Sequence, residues 1–271
     1  MVLIEYSELE TLIGRIHEIS GFDFSGYARP SLLRRASRYL TQHTMNVKDL
    51  LLHIEPGGGI VYDLIQELTV NYSEMFRDPD FFMKVKTDVF SYLESYPALR
   101  FWVAGCASGE EAFSMAILLK EAGYLERSII YATDLNNKVL TAAREGVFTL
   151  GNTRTFSENY LLAAGKNSLS DYYHVAYNMA VISPEIRKKI VFSLHDLTGD
   201  GVFNEFQFIS CRNVMIYFTL ELRQNVFRLL YDSLSMLGFL CLGKRETLRY
   251  SGIEQNFKII DSTLNIYQKI Q

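Results

Sequence analysis

The feature that most restricts this fold is a change of period at Pro97. From Arg100 onward, short apolar runs alternate with helical ones: RFWVAGC, SGEEAFSMAILLKEAG, SIIYATD, NKVLTAAREG, KIVFSLHD, EFQFISCRN, TLELRQNVFRLLYDSL and GFLCLG. Strands separated by helices return to one sheet by crossovers, so the pattern predicts an α/β architecture with a mainly parallel sheet. The last two runs, FKIID and LNIYQKI, are joined only by STL and predict an antiparallel C-terminal hairpin on that sheet. Before Pro97 apolar residues recur at three and four, which predicts an all-helical half. The glycines at 57–59 read as a turn between two of its helices. The expected division is a helical domain over 1–77, a connecting helix over 78–99 and an α/β domain over 100–271. A Tyr-, Asn- and Ser-rich insertion at about 147–189 is expected on the sheet's edge.

Composition narrows the partners. With 48% hydrophobic and 21% charged residues among 271, the chain can bury a core and is not a disordered polymer. A net charge of −4 gives no field for a polyanion, so nucleic acid is not expected. Cys106, Cys211 and Cys241 form no CxxC pair and suit a reducing compartment. The acidic start MVLIEYSELETL does not read as a signal peptide, and no apolar run is long enough to span a bilayer, so a cytoplasmic location is expected. The five histidines show no metal-ligand spacing, and no metal is expected.

The most informative segment is FWVAGCASGEEAFSMA, a strand running through a small-residue turn into a helix. Open α/β sheets bind ligands at such turns. Gly105, Ala107, Ser108 and Gly109 let a ligand approach the backbone, but the helix then opens with Glu110 and Glu111. A phosphate favours bare amides at a helix N-terminus. Carboxylates favour a cationic or hydroxyl-bearing ligand, although they also offset the helix dipole. The next strand ends in YATDL, which places Asp134 at its tip, where it can accept two ribose hydroxyls or cap the following helix. Turn and tip carboxylate together suggest a nucleoside ligand without phosphate, with S-adenosylmethionine as the obvious candidate.

Two further segments, TVNYSEMFRDPDFF and FQFISCRNVMIYF, bring in a family. With YARPSLLRR, GCASGEEAFS, ATDL, SLSDYY, FSLHDL and GFLCLGKRE, they make nearly the whole chain resemble the chemotaxis receptor glutamate methyltransferases, the CheR family. The resemblance implies a class I, Rossmann-like S-adenosylmethionine-dependent methyltransferase domain behind a helical receptor-recognition domain. It implies methyl transfer from S-adenosylmethionine to glutamate γ-carboxylates of chemotaxis-type receptors, leaving S-adenosylhomocysteine. It places Asn71, Ser73, Arg77, Gly105, Glu111, Asp134, Asp196, Leu197 and Asn213 at the cofactor. Glu111 would face the ammonium, Asp134 the ribose, and Asp196 and Leu197 the adenine, with Asn213 ending the fourth strand. Arg77 and Tyr217 would flank the transferred methyl, with Tyr217 and Phe76 offering aromatic faces to the sulfonium.

The chain departs from the family pattern at Ser73 for Thr, Asp196 for Asn, Ala112 for Pro, and GKRE for G-x-S-E. If Asp196 has acquired its own cationic partner, Lys244 and Arg245 are the candidates. Arg29, Arg34, Arg35 and Arg38 lie in a stretch from Phe24 to Val47 without acidic residues. The resemblance implies that Arg34, Arg35 and Arg38 dock an acidic helical region of a receptor. A monomer without membrane insertion is expected. Two alternatives stay open on sequence: a methyltransferase for another substrate, and a non-catalytic cofactor-binding or receptor-tethering module.

Overall fold

A computed structural model of the chain describes residues 4–69 and 72–271. The chain forms two compact units, one of Met1–Asn71 with Met215–Arg223 and one of Tyr72–Val214 with Gln224–Gln271.

In the first unit, α1 (Tyr6–Ser20) buries Leu9, Leu12, Ile13 and Ile16, one stripe at helical spacing, and ends at Gly21 with φ 75°. Helix α2 (Arg29–His43) starts with Pro30 in its first turn and buries Leu32, Ala36, Ser37, Tyr39 and Leu40. A third helix, α3 (Val47–His53), was not expected; its signal is the reciprocal Asn46/Asp49 capping box. Helix α4 (Gly59–Leu68) follows the glycine turn and buries Val61, Leu64, Ile65 and Leu68. The distant segment completes this unit by backbone pairing: Ala28 N–H donates to the Tyr217 carbonyl at 2.7 Å and Thr219 N–H to the Gly26 carbonyl at 2.8 Å. Tyr27 packs edge-on against Phe218. Residues 215–223 therefore belong with the helices, although the sequence reading assigned them to the α/β part. Tyr217 and Phe218 lie in and just after a 3₁₀ turn, Met215–Tyr217, and not in a strand.

The second unit opens with a helix in three stretches: α5 (Pro79–Lys84), a π turn (Val85–Val89) and α6 (Phe90–Leu93). Its seven-stranded sheet contains β1 (Leu99–Ala104), β2 (Ser128–Asp134), β6 (Ile190–Leu194), β7 (Phe206–Cys211), β8 (Leu234–Leu242), β9 (Phe257–Asp261) and β10 (Ile266–Lys269). Their order is β6-β2-β1-β7-β8-β10-β9. The first five in that order run parallel, and β10 and β9 are antiparallel, as the short C-terminal connection requires. After β1 the chain steps outward through β2 to β6, then returns to β7 on the other side of β1. That reversal opens a crevice at the C-terminal ends of β1 and β7.

Helix α7 (Glu110–Glu121), which follows β1, is buried continuously from Ala112 to Leu119. Helix α8 (Asn137–Glu145) follows β2, and α11 (Leu220–Asp232) precedes β8. The insertion is a subdomain with its own three-stranded sheet, order β3-β5-β4: β3 (Val147–Thr149), α9 (Leu150–Leu162), β4 (Tyr173–Ala176), β5 (Met179–Ile182) and α10 (Pro184–Arg187). Its Phe156, Tyr160, Leu169 and Tyr172 join the core formed with α5 and α7.

Candidate functional site

Three of the predicted site segments leave the C-terminal ends of neighbouring parallel strands, and the register aligns them. Ala104 pairs with Thr133, and the N–H groups of Gly105 and Cys106 both donate to the Thr133 carbonyl. The turn after β1 uses left-handed backbone at Gly105 (φ 71°), Ala107 (φ 47°) and Gly109 (φ 91°). Gly105 has a second constraint, since a Cβ there would lie 2.4 Å from the Val214 side chain. Asp134 closes this turn: Oδ2 accepts from Ala107 N–H at 2.9 Å and Oδ1 from Asn136 N–H at 3.0 Å. Burial pushes the Asp134 carboxyl above its ordinary pKa, and the backbone donors pull it part of the way back. The cap of α8 is Asn136, whose Oδ1 accepts from Lys138 and Val139, so Asp134 is not needed for capping.

Next along the rim, β6 leads into His195, Asp196 and Leu197. Asp196 Oδ1 accepts from both the N–H and the hydroxyl of Thr198, at 2.8 and 2.7 Å. Its partner is thus a local turn and not Lys244 or Arg245. An asparagine carbonyl could accept the same two bonds, which accounts for the Asp-for-Asn departure. Leu197 is nearly buried. His195 Nε2 lies 3.2 Å from the Gly201 carbonyl, closing the same loop.

Sequence reasoning missed the centre of the charge arrangement, Arg212, quoted only as part of CRN. Its side chain is 2% exposed and forms ion pairs with Glu111 at 2.8 Å and Asp78 at 2.7 Å. It also donates to the Arg77 carbonyl and stacks on Phe81 with its guanidinium carbon 4.0 Å from the ring centre. Glu111 Oε1 accepts from Ser210 as well. Asp78 is bonded a second time, by Lys244 at 3.1 Å, so one of the departing cations neutralises the FRDP turn. Asn213 stands beyond the end of β7, at φ 63°, and its N–H donates to Glu246. The Glu246 carboxylate also takes the N–H groups of Val214 and Gly243.

Arg77 lies between two left-handed residues, Phe76 (φ 53°) and Asp78 (φ 59°). Such backbone costs a residue like Phe76 or Ala107 roughly 1–2 kcal/mol, and here it falls on the turns that carry the motifs. Phe76 does not offer a ring to a ligand as expected: it is 1% exposed and packs edge-on against Phe82 and Tyr160 in the core. Ser73 is half-buried, Asn71 lies outside the described residues, and Tyr217 belongs to the first unit. There, of the three arginines expected on a free basic face, Arg35 turns inward. It donates to the Glu67 and Thr69 carbonyls at the end of α4 and stacks over Tyr217. Arg38 pairs with Glu67 and Arg29 with Glu10, so the missing acidic partners come from α4 and α1. Arg34 is exposed, and a cavity of about 480 Å³ is bordered by Arg34, Arg35, Arg38, Thr41 and Gln42.

The donor set at the strand ends fits a cationic nucleoside: carboxylates at Glu111 and Asp134, and buried polar atoms without a protein partner at Asn136 Nδ2 and His195 Nδ1. Among the described residues no cluster of three or more His, Cys, Asp or Glu is placed to hold a metal, and no helix is long and apolar enough to cross a membrane. Fold and site define a class I, Rossmann-like methyltransferase that uses S-adenosylmethionine. The family described as "CheR methyltransferase, SAM binding domain" matches residues 71–266. A Pseudomonas putida protein named Cher3 is 39% identical over 263 residues, covering 97% of this chain and 96% of its own. Chemotaxis protein methyltransferase 1 of Pseudomonas aeruginosa is 30% identical over 206 residues (70% and 71%), and that of Listeria innocua 29% over 231 (84% and 85%). The chain belongs to the CheR methyltransferase family, and its cofactor is S-adenosylmethionine.

Proposed function

We propose that the protein methylates the γ-carboxylate of specific glutamates in a cytoplasmic, acidic helical region of chemotaxis-type receptors, giving methyl esters. The observation that carries this is the match, over most of the chain, to relatives named as chemotaxis protein methyltransferases. S-adenosylmethionine supplies a methyl group on a sulfonium. A glutamate with an ordinary pKa of about 4.3 is already ionised at neutral pH, so no general base is required of the protein. Its task is alignment and exclusion of water.

In this reading Asp134 holds the ribose, and Asp196 and Leu197 border the adenine. Glu111 attracts the ammonium, while Ser73, Gly105 and Asn213 line the rest. Arg77 and Tyr217 carry over from the family resemblance as the residues that act on the transferred methyl. Arg77 must orient the carboxylate without binding it more tightly than the less charged transition state. The helical unit recognises the receptor, with Arg34 and Arg38 facing it and Arg35 maintaining the unit's own packing. The protein works in the cytoplasm as a monomer.

The test is transfer of labelled methyl from S-adenosylmethionine to receptor-containing membranes, with the product assayed for release by base. Base-labile label on the receptor is expected, and it is expected to fall sharply in Arg77→Ala and Tyr217→Phe with cofactor binding retained in the tyrosine variant. Label on another acceptor, or base-stable label, refutes the glutamate assignment.

A further inference from the structure

We propose that Lys244 is a positioning residue for Arg77, acting through Asp78. The inference rests on the reading above only in taking Arg77 as a group that faces the cofactor. The Arg77 turn is held from below by two contacts: Phe76 N–H donates to Ser114 Oγ at 2.8 Å, and Arg212 donates to the Arg77 carbonyl at 3.1 Å. Both neighbours of Arg77 have left-handed backbone, so the turn relaxes unless something fixes it.

Asp78 is that fixing point, and its two oxygens have different partners. Oδ2 lies 2.7 Å from Arg212, and Oδ1 lies 3.1 Å from Lys244 Nζ. Arg212 is shared, because it also serves Glu111 at 2.8 Å. One guanidinium therefore faces two carboxylates, and Lys244 provides the second cation that balances them. It also approaches Asp80 at 3.6 Å.

Without Lys244, the single positive charge of Arg212 faces both carboxylates, Glu111 on Nη1 and Asp78 on Nη2. The Glu111 side chain is 14% exposed and that of Asp78 22%, so Asp78 is the one free to rotate toward water. Its departure releases the backbone on which Arg77 is mounted. Lys244 is 45% exposed, so removing it opens no cavity in the core.

The experiment is calorimetry of S-adenosylhomocysteine binding to the full chain, with melting temperatures to verify the fold. Lys244→Ala is expected to raise the Kd roughly three- to fivefold, as loss of a partly exposed ion pair allows, and Lys244→Arg to restore it. In Arg77→Ala and in Asp78→Asn backgrounds, Lys244→Ala is expected to have no further effect. An unchanged Kd in the single variant, failure of the arginine to rescue, or an undiminished effect in those backgrounds overturns the proposal. No receptor is present, so a wild type that binds the product but methylates no receptor would refute the proposed function and leave this result standing.

Discussion

Asp134 is bonded through both carboxylate oxygens, yet burial still raises its pKa. A carboxyl whose folded pKa exceeds its unfolded value of about 3.9 contributes stability that is fully present below that value and lost as pH rises through the folded one. Wild type measured against Asp134→Asn is therefore expected to lose ground as pH rises above about 4. Melting curves of both proteins across that range check it, and a constant difference would show that the buried charge carries no penalty. Asp134 was legible because a strand's last residue can be counted from an apolar run. Arg212 was not, since its role depends on Glu111 and Asp78, which meet it only through the sheet's topology. Arg35 and Arg38 misled for the same reason: their partners lie on α4, beyond the acid-free window in which they were read.

Two neighbouring strands, β7 and β8, end in turns pinned by one side chain. The Glu246 carboxylate takes three backbone N–H groups, from Asn213, Val214 and Gly243. Replacing it with alanine leaves buried donors unpaired at ~1–3 kcal/mol each, so a loss of about 3 kcal/mol or more is expected. Melting temperature is expected to fall by roughly 6–12 °C, and, on the proposed placement of Asn213 at the cofactor, affinity with it, because the same carboxylate sets Asn213. Gly243→Ala gives a second measurement, since its Cβ would lie 2.6 Å from Glu246 and 2.8 Å from the Asn213 nitrogen. The seven main strands could be read because apolar runs stop at turn residues. The insertion's strands could not: β4 is a four-residue, mostly exposed piece rich in aromatic and polar residues, with no alternation for a sequence pattern to catch. Helix α3, at seven residues, is too short for its period to show.

Over the whole molecule the net charge is −4, so on the proposed function any attraction to an acidic receptor region is local. Arg34 is the exposed arginine of the α2 group without an ion pair among the described residues. Arg34→Glu is expected to raise the KM for receptor and leave S-adenosylhomocysteine binding unchanged. Wild-type transfer is expected to fall with added salt, because exposed charges are screened beyond about 8 Å at physiological ionic strength. The variant should lose much of that dependence; transfer assays at two salt concentrations decide, and a wild-type KM in the variant would remove Arg34 from recognition. The change from helical period to alternating strands was legible at Pro97, but the two units divide between Asn71 and Tyr72, ahead of the connecting helix, and no local pattern could show that residues 215–223 belong with the helices. That membership sets an order of events on the ribosome. Helices α1 to α4 emerge first, yet the segment that pairs with Gly26 and Ala28 is made only after the intervening 72–214 stretch. At about 5–20 residues per second, the nascent helices wait roughly 7–30 seconds with an open flank, and are completed only after seven of the ten strands found among the described residues have been synthesised.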